Sequence, residues 1–345
     1  MRQPVNLKKA LAALLPVICL VISVGHVDAG EKPRIIVSTD IGGGDPDDFQ
    51  SMIHYLVYAD LFETEGLISS PPKDGRAQDL LACIDAYEAD FPNLRTWSHG
   101  YPLPVALRRM VKQGALDPQF GDAPATTISD GATLIIARAQ AEDSRPLYVL
   151  VWGSITDVAQ AIGKRPGIKA KLRVYSIGSW NTKQDPKARD YLFSQHPDLW
   201  WIENDTTFRG MYMGGVQHED FGNRSFPAEH VNGHGQLGAL FMEKKAKIKM
   251  GDTPSVLYFL RGDAGVPERE HWGGAFVRPF PEARPTYWHD NPDKSVSDHG
   301  KRGAKTVNRW RTNYLLDWRG RMDRAAKKSS VALSNVGVNP ADQTP

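Results

Sequence analysis

An apolar run, Arg34-Ile-Ile-Val-Ser-Thr, leads into Asp40-Ile-Gly-Gly-Gly-Asp45-Pro-Asp47-Asp48. A helical pattern, Phe49-Gln-Ser-Met-Ile-His-Tyr-Leu-Val-Tyr, follows at once. Four carboxylates therefore crowd one turn between a buried strand and a helix. Like charges so close raise their own pKa values or destabilise the turn. A hard divalent cation removes that repulsion, and Ca²⁺ takes about 6–8 oxygen ligands, many of them carboxylates. The glycines permit the sharp backbone path. In open α/β sheets, the C-terminal end of a strand is also where ligands bind.

The rest of the chain repeats the strand-then-helix alternation. Strands are predicted at 34–38, 65–69, 147–152, 172–177 and 199–202. Helices are predicted at 47–59, 74–90, 130–142, 155–162, 186–196, 235–245 and 254–261. This order predicts an α/β fold of Rossmann type, with a mainly parallel sheet and helices on both faces. Ser129/Asp130 and Thr253-Pro254 read as helix starts. Residues 263–303, rich in Gly, Pro, His, Asp and Trp, show little period and read as a long ordered loop near the site, or as surface. Residues 304–325 read as one closing amphipathic helix, and 326–345 as a disordered tail.

The first 29 residues stand apart from this pattern. Arg2, Lys8 and Lys9 form a basic start, Ala10 to Val24 is apolar, and Val27-Asp-Ala29 offers a small-residue cleavage site. This is the pattern of a secretory signal peptide, so the mature chain is expected in the periplasm or outside the cell, with a domain over 30–325. The apolar run is shorter than the ~20 residues of a membrane-spanning helix. The whole chain has 42 basic and 40 acidic residues; removing the leader makes the two equal in number. No basic patch argues for nucleic acid. Of the two cysteines only Cys83 remains, in an apolar helical stretch, and it reads as a small buried hydrophobe.

Ser38-Thr-Asp40 with Asp47-Asp48, running into a helix, resembles the Asp-Thr-Asp-Pro-Gly-x-Asp-Asp signature of the nucleoside hydrolases. Three more segments match in order. Tyr148-Val-Leu-Val-Trp-Gly-Ser-Ile-Thr156-Asp resembles that family's strand followed by Gly-Pro-Leu-Thr-Asn. Leu172-Arg-Val-Tyr-Ser-Ile-Gly178 stands where its next strand would be, and Gly251-Asp252-Thr-Pro resembles its late His-Asp-Pro segment. The longer Gly-Gly-Asp-Pro-Asp-Asp loop, Phe208-Arg-Gly-Met-Tyr, Gly233-His-Gly, Trp272-Gly-Gly and Asn308-Arg-Trp-Arg are similar to the divergent cellulose-binding-protein branch of that family.

The resemblance implies a Ca²⁺ at the bottom of a sugar pocket. By position, Asp40 would be a ligand and the general base for water. Asp48, the Thr156 carbonyl and Asp252 would be ligands, and Asp47 would bind a sugar hydroxyl. Asn204 and Glu203 stand near the family's ribose-binding pair. His234 would serve the leaving group, and Trp272 with His271 would line its pocket. Each residue also has a simpler use. Asp40 and Asp45 suit turns. Asp47, Asp48, Asp252 and Thr156 suit helix starts. His234 and Trp272 suit a surface turn and packing. Oxygen-only ligands do suit Ca²⁺.

The departures fall on the recognition side. Ser38 replaces Asp, three residues lengthen the loop between Asp40 and Asp47, Gly251 replaces a His, and Ser69-Ser-Pro-Pro replaces an Asn-containing segment. Two functions follow as expectations. One is an exported Ca²⁺-dependent hydrolase of N-ribosyl or related glycosidic bonds, acting on a small nucleoside or sugar conjugate. The other is a non-catalytic carbohydrate-binding protein on the same scaffold. Self-association is compatible with either.

Overall fold

The computed structural model describes residues 31–70, 77–116, 120–121 and 127–330. The predicted leader and residues 331–345 of the predicted tail lie outside the described residues. In chain order the elements are β1 (Arg34–Thr39), α1 (Asp47–Val57), β2 (Glu63–Ser69), α2 (Ala77–Leu94), α3 (Pro104–Met110), β3 (Val111–Gln113), α4 (Asp130–Ala139), β4 (Leu147–Val151), α5 (Thr156–Lys164), β5 (Leu172–Ile177), α6 (Trp180–Gln184), α7 (Pro186–Gln195) and β6 (Trp200–Asn204). Then come α8 (Ser225–His230), α9 (Gly235–Lys244), α10 (Pro254–Leu260), β7 (Phe276–Val277), β8 (Tyr287–Asp290), α11 (Ala304–Asn308) and α12 (Arg311–Ala326).

Among the described residues the strands form one sheet in the order β3-β2-β1-β4-β5-β6-β8-β7. Every neighbouring pair is parallel except β7 with β8. Strand β1 is buried along its whole length. Ile35 and Val37 pack into one core with residues of α1, α2, α9, α10 and α12. Ile36 packs into a second core with residues of α4, α5 and α7. Cover on both faces is why the central strands are continuous apolar runs rather than alternating ones. The strand order reverses between β1 and β4, and that reversal opens a crevice at the C-terminal ends of those two strands.

The structure corrects two expectations. Residues 263–303 are not simply a loop, because β8 lies in them and pairs in parallel with β6. Tyr287 and Trp288 pack against Trp201 and Trp200, with ring centroids 5.5 and 4.9 Å apart. The closing helix is broken in two. The Trp310 N–H bonds the Val307 carbonyl at 3.0 Å, a three-residue step that tightens the chain between α11 and α12. Cys83 is buried and pairs with no other cysteine. Ser129 caps α4, its hydroxyl accepting from the Ala132 N–H at 2.9 Å. No described helix is long and apolar enough to cross a membrane.

Candidate functional site

Asp40 follows the last residue of β1, beside the strand-order reversal. Gly42 takes a φ of 90°, which lets the chain turn away, and the Gly43 N–H bonds the Asp40 carbonyl at 3.2 Å. The loop re-enters α1 with Asp47 and Asp48 in its first turn, where the helix dipole favours acids. Thr39 donates its hydroxyl to Asp48 and takes the Ile41 N–H at 3.2 Å, fixing the turn. From β4, Gly153 closes the other side. A Cβ there would lie 2.8 Å from Asp40 Cβ and 3.1 Å from Ser70 Oγ, so only glycine admits this approach.

Asp252 arrives from the segment before α10, and that segment is tied to α1. Buried Gln50 donates to the Lys245 and Lys247 carbonyls, both at 2.9 Å. It accepts from the Lys249 and Met250 N–H groups at 2.9 and 3.2 Å. Thr253 Oγ1 meets Ser51 Oγ at 3.0 Å. As a result, one carboxylate oxygen from each of Asp47, Asp48 and Asp252 lies within 4.8 Å of the other two.

The electrostatics of this group are unfavourable as it stands. Burial, then the charges of Asp48 and Asp45, push Asp47 up to about 7, against the pull of Lys249. Burial also lifts Asp40 to about 7, opposed by a hydrogen bond with Asp48 and reinforced by the Asp47 charge. Asp48 and Asp252 sit well above the usual carboxylate range, again through burial first and then neighbouring carboxylates. Asp252 Oδ2 is buried without a hydrogen-bond partner. An orphaned carboxylate oxygen on a member of an all-oxygen group fits a hard divalent cation, which these residues can hold.

The structure brings together Asp40, Asp47, Asp48 and Asp252, and places the side chains of the other expected residues elsewhere. Thr156 begins α5, and its hydroxyl is taken by Asp185 at 2.7 Å and Ser154 at 2.5 Å. Its side chain therefore does not cap the helix, and these bonds leave the expected ligand, its backbone carbonyl, untouched. Glu203 and Asn204 point to opposite faces of β6. Glu203 is locked by Arg189 at 2.7 and 3.0 Å and by the Tyr287 hydroxyl at 2.6 Å. Asn204 accepts the Phe208 N–H at 2.8 Å and donates to the Tyr175 hydroxyl at 2.9 Å, so it closes a turn. His234 pairs with Asp323 of α12 at 3.2 Å. His271 is buried, its ring nitrogens on the Asp263 and Arg269 carbonyls at 2.8 and 2.9 Å. Trp272 packs against the larger core, its indole N–H buried and unpartnered.

Several further residues at the site have no individual role assigned by the sequence. Gln50 reads in sequence as one more helical residue. Ser70, with a buried and unpartnered hydroxyl, borders Gly153 and Asp40. Lys249 meets Asp45 at 2.8 Å, and its ammonium lies 5.0 Å from the Tyr212 ring centroid. Asn181 donates to the Trp152 and Ile177 carbonyls at 2.7 and 3.0 Å, joining the ends of β4 and β5.

The same fold occurs in a nucleoside hydrolase-related hypothetical protein from Saccharophagus degradans that is associated with carbohydrate metabolism. It is 26% identical, with a TM-score of 0.67 over 86% of this chain and 73% of that one. The type III effector protein XopQ, solved in complex with adenosine diphosphate ribose, is 14% identical. Its TM-score is 0.51, over 86% of this chain and 94% of that one. The inosine-uridine preferring nucleoside hydrolase of Bacillus anthracis is 13% identical, with a TM-score of 0.49 over 85% of this chain and 99% of that one. No curated protein matches the sequence. Residues 34–276 match the family described as cellulose-binding Sde182, nucleoside hydrolase-like domain, and the chain belongs to that family.

Proposed function

We propose that this protein is an exported, Ca²⁺-dependent hydrolase of glycosidic bonds, N-ribosyl or related, in small sugar conjugates. One observation carries the reading: Asp47, Asp48 and Asp252 meet at the strand-order reversal with Asp40 hydrogen-bonded to Asp48, and one buried oxygen of Asp252 has no partner. A divalent cation held by Asp48 and Asp252, with Asp47, Asp40 and the Thr156 carbonyl around it, would orient and acidify water. Asp40, a carboxylate beside the attacking water, accepts its proton. Water adds to the anomeric carbon as the bond to the leaving group breaks, and the neighbouring carboxylates stabilise the oxocarbenium-like charge. Asp47 orients a sugar hydroxyl. The signal-peptide pattern at 1–29 supports export.

The family description favours a second reading, a carbohydrate-binding protein that keeps the cation for structure. The burial of Asn204 and Glu203 in internal bonds also favours it, since neither is available for ribose. One experiment separates the two. Purified protein is offered purine and pyrimidine nucleosides, p-nitrophenyl riboside and p-nitrophenyl hexosides, with and without EDTA, beside Asp40→Asn. Product release that both EDTA and Asp40→Asn abolish is the outcome expected of a hydrolase. Tight Ca²⁺ and sugar binding with no turnover across the panel would leave the binding reading in its place.

A further inference from the structure

At the ends of β5 and β6 stands a guanidinium that makes no ion pair among the described residues. Arg209 lies in the short turn of helix Thr207–Met211. Its Nη1 donates to the Tyr212 hydroxyl at 3.0 Å and its Nη2 to Ser179 Oγ at 3.2 Å. Its Nε is buried with no acceptor, and no described carboxylate lies within ion-pair reach. The guanidinium carbon is 4.8 Å from the Phe208 ring centroid. A guanidinium has five N–H donors in a fixed fork, so several here remain unspent.

The surroundings hold this group in place. Ser179 has a φ of 60°, a conformation that costs energy for a residue with a side chain. It is kept there by its N–H bond to Asp205 Oδ1 at 2.7 Å, and Asp205 Oδ2 meets His289 at 3.1 Å. From behind, fully buried Arg311 donates to the Met211 carbonyl at 2.7 Å, and Asn308 donates to the Met213 carbonyl at 2.9 Å. The segment also borders the carboxylates. A Cβ on Gly251 would lie 2.8 Å from Asp47 Oδ2 and 3.5 Å from the Phe208 ring. Across the Tyr212 ring stands Lys249. The ends of β5 and β6 thus hold Arg209 beside the acidic end of β1, with Asp205 turned onto Ser179 and His289 and Lys249 onto Asp45. Trp180, which follows Ser179, is 67% exposed and offers a flat apolar face at the same edge.

We propose that the ligand of this site carries an oxyanion, a carboxylate or a phosphate, which Arg209 binds while the sugar hydroxyls face the acidic end. The substrates would then be acidic or phosphorylated sugar conjugates rather than neutral ones, a refinement that rests on the sugar-site reading above. Charge-assisted, bidentate capture of an oxyanion is what an under-used guanidinium does best.

The test is calorimetric titration of the intact protein with glucuronate and ribose 5-phosphate, beside glucose and ribose. At least one acidic sugar should bind ~10-fold or more tightly than its neutral counterpart, since hydrogen bonds between charged groups are the strong ones. Preference for glucuronate names a carboxylate, and preference for ribose 5-phosphate names a phosphate. Arg209→Gln should bring the acidic-to-neutral affinity ratio down to about one, while Arg209→Lys should keep part of the preference. Equal binding of acidic and neutral sugars, equal weakening of both by Arg209→Gln, or no binding of either acid at millimolar concentration would overturn the proposal. Ca²⁺ titration without sugar scores the cation reading separately. Failure there, with the Arg209-dependent preference intact, counts against the cation and for the oxyanion.

Discussion

Asp252 costs the protein stability unless something answers its charge. Its carboxyl is buried, one oxygen has no partner, and Asp47, Asp48 and Asp40 all raise its pKa. Asp252→Asn removes one of these charges without changing the side chain's shape. In EDTA, the substitution should therefore raise stability, by on the order of 1 kcal/mol, because like-charge repulsion falls. In Ca²⁺ the order should reverse, because the variant loses a ligand and with it ~100-fold or more of cation affinity. Urea unfolding of both proteins under both conditions checks this. A variant that is less stable than the parent in EDTA as well would show that Asp252 is there for packing.

Helix α1 does two jobs at once. Its first turn supplies Asp47 and Asp48, and Gln50, one turn on, holds four backbone groups of the segment before Asp252. Gln50→Leu keeps the bulk and deletes all four bonds. Buried groups left unpaired cost about 1–3 kcal/mol each before relaxation, so a loss of roughly 2–4 kcal/mol is expected in denaturant unfolding. Cation affinity should fall too, although the variant touches no carboxylate. The core of this arrangement is legible in the sequence. The acid-rich turn after β1, the helix behind it and the late Asp252 are local patterns, and the central strands are apolar runs long enough to stand out. Gln50 is not legible, because its partners lie about two hundred residues away and a buried glutamine in a helix has no sequence signature. The Phe208-Arg-Gly-Met-Tyr motif marks Arg209 and Tyr212 in the sequence but not their partners, since Ser179 and Lys249 reach them only through the fold. Glu203 and Asn204 fail differently. The strand read from the sequence stops at 202, whereas β6 runs on through both; alternation along it sends neighbours to opposite faces, and one side of that strand holds Arg189 and Tyr287. The two-residue β7 and the four-residue β8 are too short to give any period.

For the whole molecule, stability should depend on pH and on the cation together. His54 is fully buried between Tyr58 and Trp318, with Nδ1 unpartnered. Burial first, then the Arg321 charge, lowers its pKa to about 3. Unfolded, a histidine titrates near ~6.5. Its folded pKa is thus depressed, so its contribution is complete above ~6.5 and is lost as pH falls, at up to ~1.4 kcal/mol per pH unit. His54→Leu should flatten that acid limb between pH ~6.5 and ~4, seen as a smaller drop in the urea midpoint. A parallel limb in parent and variant would mean the histidine is hydrated. The cation acts through mass action. A ligand that binds only the folded chain stabilises it by RT ln(1 + [L]/Kd), ~2.7 kcal/mol at a hundredfold excess over Kd. For a domain of this size that is a rise in Tm of about 5 °C or somewhat less. Ca²⁺ should give this rise in the parent and little of it in Asp48→Asn, while Mg²⁺, which demands a tighter octahedral site, should give less. The comparison at pH 8 against pH 6 completes the argument. Asp40 and Asp47 hold protons up to about 7, and a cation must displace them. Its effect on Tm should therefore be larger at pH 8, and equal shifts at the two pH values would place the Ca²⁺ on some other group.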